Sequence, residues 1–409
     1  MLARLAVRSV LTKKFIRRIP PLLVWVKAAL TQVTLPLVFS AGAPLNDTSE
    51  FTQSETGKGI EMDETQMMEF VGQAVADVGA LLGGAMVVIG DKLGLYRAMA
   101  GTGSVTPAEL AARTGTAERY VREWLSAQAA RGYLCYDGGG RFSLHDEHAV
   151  PLTDETSPAC VIGAFEIALG SVYATDTIAE RFRSGEGFAW GAHDEHVLRG
   201  CVRFFRPGYL NNLASAWIPA LDGVEAKLAA GARVADVGCG HGASTLLLAG
   251  AYPASAITGF DAHDGSIEAA RKRAADAGLA GRVRFEAASA TTFTGSYDLV
   301  CFFDCLHDMG DPAGACAHAR AQLAPGGTLM LIEPFAADDI TGNLNPVGAA
   351  YYGFSTLLCT PSSLSQDTGA ALGAQAGEAR LREIVTRAGF ATLRRVAETP
   401  FNIVLEARA

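Results

Sequence analysis

The 409-residue chain is 49% hydrophobic and 19% charged, enough apolar surface for two to three domains with sizeable cores. Its formal charge of -9 means that a nucleic-acid partner would have to be held by a local basic patch against the overall field. The eight cysteines (Cys135, Cys160, Cys201, Cys239, Cys301, Cys305, Cys316, Cys359) show no C-x-x-C pair and no zinc-ligand spacing, which points to reduced thiols in a cytoplasmic protein and to no structural metal.

Residues 1–62 differ in character from the rest of the chain. The first 43 residues carry seven Lys and Arg and no acid, and a polar stretch, "PLNDTSEFTQSETGKG", succeeds them. The A-x-A step at Ala41 to Ala43 resembles a secretory cleavage site, but Lys27 interrupts the apolar run before it. Lys27, Gln32 and the prolines also break any run of the roughly 20 apolar residues that a membrane helix needs. The expectation is a disordered or dispensable extension without stable membrane association, with Met62, Met67 or Met68 as candidate starts.

From Glu64 the pattern is helical, with apolar residues on more than one face up to Ala100, as expected of helices packed into a dimer or domain interface. In residues 63–152, Pro107 opens a helix after Thr106, Gly115 ends it, and Thr116 is expected to cap the next. The glycines Gly138 to Gly140 join two strand-like runs, so helix, turn, helix and hairpin make a winged helix. Arg119, Arg122 and Arg131 stand against Glu118 and Glu123 on the second helix. That near balance favours a dimerisation or lid role over phosphate binding. Residues 153–222 read as linker helices forming a substrate lid, with Trp190, Phe205 and Tyr209 as candidate substrate-pocket walls.

Residues 223–409 alternate strand and helix, the pattern of a mostly parallel sheet covered on both faces. "RVADVGC", "AITGFDA", "RVRFEAAS", "YDLVCFFDCL" and "GTLMLIEPF" read as successive strands, and "ATLRRVAET" with "FNIVLEARA" as a closing antiparallel hairpin. The turn "VADVGCGHGAST" admits two readings. Gly238, Gly240 and Ala243 satisfy the dinucleotide pattern G-x-G-x-x-G/A. Asp236 before the glycines, the extra Gly242 and the terminal hairpin lean away from an NAD enzyme.

"DVGCGHG", Asp261 at the end of the second strand, "CLHDMGDP", "LAPGGTLMLIEP" and the terminal hairpin together resemble class I S-adenosylmethionine-dependent methyltransferases. The front end is similar to that of small-molecule O-methyltransferases, and "FFRPGY" and "NPVGAAYYGFSTLLCTPSSLSQ" resemble a bacterial, mycobacterial-type subgroup. The resemblance implies an α/β fold: a Rossmann-like seven-stranded sheet with an antiparallel last strand, behind an α-helical winged-helix dimerisation domain.

It also implies the site. Gly238, Cys239, Gly240 and Gly242 would pass under the methionine portion of S-adenosyl-L-methionine, with Asp236 near its amino group. Asp261, beside Ala262, would accept both ribose hydroxyls. Ser289 and Ala290 stand where many relatives have an acid near the adenine, so backbone groups would recognise it. His307 would be the general base for a hydroxyl of a small-molecule acceptor. Glu333 would orient His307 or the acceptor, Asp304 would approach the cofactor, and Asp308 is a turn or cap residue. The pairs His145 with His148, and His193 with His196, mimic metal ligands without a third member. The competing functions are an NAD-dependent oxidoreductase and a winged-helix regulator that senses a nucleoside ligand.

Overall fold

The computed structural model describes residues 62–409; the expectation for the N-terminal extension falls outside them. A 29-residue helix, Glu64–Lys92, leads into a short helix, Leu95–Met99. The next helix, Pro107–Thr114, starts with a reciprocal cap: Thr106 Oγ1 accepts from Glu109 N, and Glu109 accepts from Thr106 N. Gly115 closes it in the left-handed region. Helix Glu118–Ala130 then begins at Ala117, which offers no side-chain cap. Thr116 bonds Thr114 instead, so the cap expected at Thr116 sits one residue too early. Strands β1 (Cys135–Gly138) and β2 (Arg141–Ser143) form the antiparallel wing.

Tyr96, Leu110, Trp124, Leu125 and Phe142 close the core of this unit. Its would-be recognition helix offers little free charge, because Arg119 pairs with Glu123 and Arg122 with Glu118. The Glu64–Lys92 helix is rooted here: Gly90 has room for no side chain against Trp124, and Val87 is fully buried. Its N-terminal two thirds are bare. Phe70, Val75, Val78, Leu81 and Leu82 are all exposed, and by length and composition alone the helix is apolar enough to cross a membrane.

Two helices, Ile162–Val172 and Glu195–Asn212, join this unit to the sheet. They pack backbone to backbone because Gly163, Gly170 and Gly200 lie at their contact: a Cβ on Gly163 would stand 2.3 Å from Phe204 N, and one on Gly200 2.7 Å from Ile167 N. Arg203 secures the second helix by donating to Asp91, Glu155 and Glu166. A five-residue π-turn, Leu213–Trp217, follows.

The sheet contains β3 (Arg233–Val237), β4 (Ala256–Asp261), β5 (Val283–Ala287), β6 (Tyr297–Phe303), β7 (Leu323–Pro334), β8 (Thr392–Glu398) and β9 (Asn402–Arg408), in the order β5-β4-β3-β6-β7-β9-β8. β9 alone runs opposite to the other six strands. Near-continuous apolar runs such as Leu299–Phe303 and Leu329–Ile332 suit strands covered on both faces, and two apolar layers cover them. Strand order reverses between β3 and β6, and a crevice opens there at the carboxyl ends of the strands. Because the helix pair carries one wall of that crevice, Gly163→Ala should lower stability by about 1–3 kcal/mol through overpacking. A urea midpoint matching wild type would show that the helices can part without loss.

Candidate active site

The glycines of the opening turn are there for steric reasons. Gly238, Gly240 and Gly242 have φ of 74°, 52° and 78°, a region that residues with a Cβ seldom adopt. A Cβ at Gly238 would lie 2.7 Å from Cys305 Sγ, and one at Gly242 2.7 Å from the Phe285 ring. Gly240 has no atom within 4 Å of its Cβ position: the space belongs to the crevice. The N–H groups of Gly238 and Cys239 both donate to Phe260 O of β4, at 2.8 and 2.9 Å. The turn then delivers the N-terminus of helix Ala243–Ala251 to the cavity, an end whose dipole favours negative or electron-rich ligand groups.

Asp261 ends β4. Its Oδ2 accepts from Gly240 N and its Oδ1 from His263 N, both at 2.9 Å, and each oxygen keeps a lone pair for a ligand hydroxyl. Burial raises its pKa, while the two backbone donors oppose the shift. Ala262, Ser289, Ala290 and Cys239 line the same end of a cavity of about 860 Å³, roughly within the 300–1,000 Å³ of small-molecule sites.

Asp236 requires a correction. Strand alternation puts it on the Val234 face, beneath helix Ala243–Ala251, and it is absent from the cavity wall. Its Oδ2 accepts from Ser244 and Thr245, both at 2.6 Å, and Oδ1 has no hydrogen-bond partner. Burial pushes its carboxyl up to about 6. It ties the glycine turn to the helix from behind.

At the other end, the turn Leu306–Asp308 follows β6. Glu333 of β7 accepts from Leu306 N at 3.0 Å through Oε1, and its Oε2 lies 2.6 Å from His307 Nδ1. The carboxylate therefore keeps the proton on Nδ1, and Nε2 is the nitrogen left for an incoming group. Glu333 does not line the cavity, so it bears on the imidazole and not on the acceptor. Asp308 Oδ1 lies 3.4 Å from Nε2. Burial disfavours the charged ring, but Asp308 and Glu333 outweigh it and hold the His307 pKa well above its ordinary value. Asp308, expected as a turn or cap residue, thus belongs to the cavity.

Asp304 sits just past β6 with φ 51°, a strained position for a residue with a side chain. Tyr209 Oη and Asn402 Nδ2 each donate to it at 2.7 Å. Burial pushes its carboxyl up to about 8, against the Tyr209 bond and aided by Glu333. Trp190 and Phe205 also line the cavity, and the Phe205 and Tyr209 rings stack with an interplanar angle of 11°.

The segment "NPVGAAYYGFSTLLCTPSSLSQ" supplies the wall that sequence reasoning left unassigned. Tyr351, Phe354, Cys359 and Gln366 line the cavity, and Gln366 holds the Asp308 turn by accepting from Gly310 N and donating to Asp308 O. Its only signal in the sequence is the aromatic and small-residue pattern. His307, Asp308 and Cys359 offer ligand atoms within 4.8 Å of one another, a juxtaposition that the sequence did not suggest. His145 and His148 stack at 5.9 Å between ring centroids, but His145 lies 3.1 Å from Cys135 Sγ and His148 contacts Tyr133 O; His193 is buried among aromatic rings, and His196 joins Asp194 and Lys92.

Residues 228–387 match the family model "Methyltransferase domain", and residues 82–154 match "Rv2258c-like winged HTH domain". Acetylserotonin O-methyltransferase of Mus musculus is 33% identical over 187 residues, 43% of this chain and 43% of the relative. Trans-aconitate 2-methyltransferase of Streptomyces avermitilis is 40% identical over 108 residues, 25% of this chain and 39% of the relative. The chain thus matches less than half the length of these curated relatives. The crystal structure of human N-acetylserotonin methyltransferase in complex with SAM aligns with a TM-score of 0.61 at 16% identity, covering 86% of this chain and 99% of that one.

The sheet order, the glycine turn and the family match make residues 228–387 a methyltransferase domain, whose cofactor is S-adenosylmethionine. The cofactor end fits this group: an open space at Gly240 adjoins a carboxylate with two lone pairs to spare. Asp261→Ala should therefore weaken S-adenosylhomocysteine at least ~tenfold, since a hydrogen bond to a charged group is worth about 1.5–3 kcal/mol. Unchanged affinity by calorimetry would move the ribose elsewhere.

Proposed function

We propose that the protein transfers a methyl group to a hydroxyl of a small-molecule acceptor, with His307 as the general base. The observation that carries this reading is the Glu333–His307 pair at 2.6 Å in the cavity wall, with Asp308 Oδ1 3.4 Å from Nε2. Bound S-adenosylmethionine supplies a methyl already activated on a sulfonium. The chain's own task is to orient the acceptor and remove its proton. His307 Nε2 takes the hydroxyl proton, and the imidazolium so formed lies between Glu333 and Asp308, which stabilise it. The aromatic wall of Trp190, Phe205 and Tyr209 holds the acceptor and excludes water.

The bare apolar face of the Glu64–Lys92 helix supports a second copy of the chain as partner. Contiguous exposed apolar surface of this kind marks an interface, and a two-fold pairing of two such helices closes it. A mass of one chain by light scattering at micromolar concentration would refute the dimer.

His307→Ala should lower turnover by about 10²–10⁴ while leaving S-adenosylmethionine affinity nearly intact. A base must be unprotonated to act, so the rate should rise with pH through the raised His307 pKa, with its midpoint above the ordinary 6.5. Asp308→Asn removes one of the carboxylates that favour the charged ring and should move that midpoint down. Full turnover in His307→Ala at saturating acceptor would make the histidine structural.

A further inference from the structure

Residues 185–194 join helix Thr175–Ser184 to helix Glu195–Asn212 along the rim of the crevice, and they touch both of its walls. On the acceptor side, Phe188 N donates to Pro361 O at 2.8 Å, and a Cβ on Gly187 would overlap the backbone N of Ser365. On the cofactor side, a Cβ on Gly191 would stand 2.7 Å from His263 Nε2, and the backbone N–H of that histidine is the one bound by Asp261. Between these contacts, Ala189 and Trp190 line the cavity. The segment therefore bridges the crevice from one wall to the other.

Its construction is that of a body able to lift away. The segment is packed on itself: the His193 ring is buried, with the Phe188 ring centroid at 4.6 Å and that of Trp190 at 6.2 Å, while Ala189 O and Trp190 O accept from Ala192 N and His193 N. A loop with a core of its own moves as one unit. Its ties to the sheet are few. Among the described residues, the bond from Phe188 N to Pro361 O is the only hydrogen bond between residues 185–193 and residues 223–409. At its start, Gly185 ends the preceding helix with φ 73°, a hinge position free of side-chain cost. Gly187 and Gly191 are outside the left-handed region, so what their missing side chains supply is the close approach to each wall.

Resting on the placement of the cofactor against Asp261, we propose that residues 185–193 form a flap that closes over bound S-adenosylmethionine and lifts to let the cofactor in and its product out, with Gly187 and Gly191 as its two seats. Closed, the flap puts Trp190 over the reacting groups and keeps water from them. Because it moves as one body, a side chain that unseats it on the acceptor side also frees the cofactor on the other.

The test uses the full chain and S-adenosylhomocysteine, whose binding is measured first by calorimetry. If that ligand fails to bind, the placement of the cofactor itself falls. With binding established, its association and dissociation rates are measured by stopped flow for wild type, Gly187→Val and Gly191→Val, each variant checked for folding by its thermal midpoint. An unseated flap no longer gates exchange, so both rates should rise at least ~tenfold in each variant; loss of a mere ligand contact would raise dissociation alone. Gly187→Val is the sharper arm, because its seat lies on the acceptor wall. A second measurement needs no variant: chymotrypsin should cut the wild-type chain after Phe188 and Trp190 more slowly once S-adenosylhomocysteine is bound. The proposal is overturned if those cuts proceed equally fast with and without the ligand, or if folded Gly187→Val exchanges the ligand at wild-type rates.

Discussion

The backbone of Gly238, Gly240 and Gly242 is the constraint on which the rest of the site depends. Three left-handed residues within five positions turn the chain sharply out of β3, and two of them leave no room for a Cβ. The turn is braced from one side by Phe260 O of β4, which takes two of its N–H groups, and from behind by Asp236, which takes the hydroxyls of Ser244 and Thr245. Fixing it in this way fixes the start of helix Ala243–Ala251 and the position of Asp261, whose carboxylate receives Gly240 N. One tight turn thus sets both the floor and the Asp261 wall of the crevice.

The opposite wall is assembled from distant parts of the chain. Asp304 and His307 leave β6, Glu333 belongs to β7, Asn402 starts β9, and Tyr209 comes from the helix packed over the sheet. Each has its role only because β6 lies beside β7 and β7 beside β9. The antiparallel β9 is needed here: its first residue, Asn402, pairs with Pro334 at the end of β7 and so reaches Asp304. The wall concentrates carboxylates around one imidazole. That arrangement raises the affinity of His307 for a proton.

Much of this was legible in the sequence for local reasons. Pro107 and Gly115 bound their helix because each acts on its own backbone, and the alternation of apolar runs with helical stretches marked out the parallel sheet and its closing hairpin. The glycine turn, Asp261 and the "LHD" segment lie at strand ends, where open sheets hold ligands. What was not legible depends on distance or rotation. Tyr209 and Asn402 meet Asp304 across 95 and 98 residues, and no local period encodes such a meeting. Cys359 reaches His307 only through the long segment after β7. Asp236 was read from its place beside the glycines, yet strand alternation turns it under the helix. Thr116 looked like a cap, but the helix starts one residue later.

The central claim is that one crevice holds S-adenosylmethionine by the glycine turn and Asp261, with its reactive sulfur presented towards His307. A crystal structure of the protein grown with S-adenosylhomocysteine tests it most directly. The expected result is density with the ribose hydroxyls on Asp261, the amino-acid portion along Gly238 to Gly242, and the sulfur open to the space before His307 Nε2. A ligand bound elsewhere, or one in this crevice with its ribose away from Asp261 and its sulfur walled off from His307, would contradict that claim.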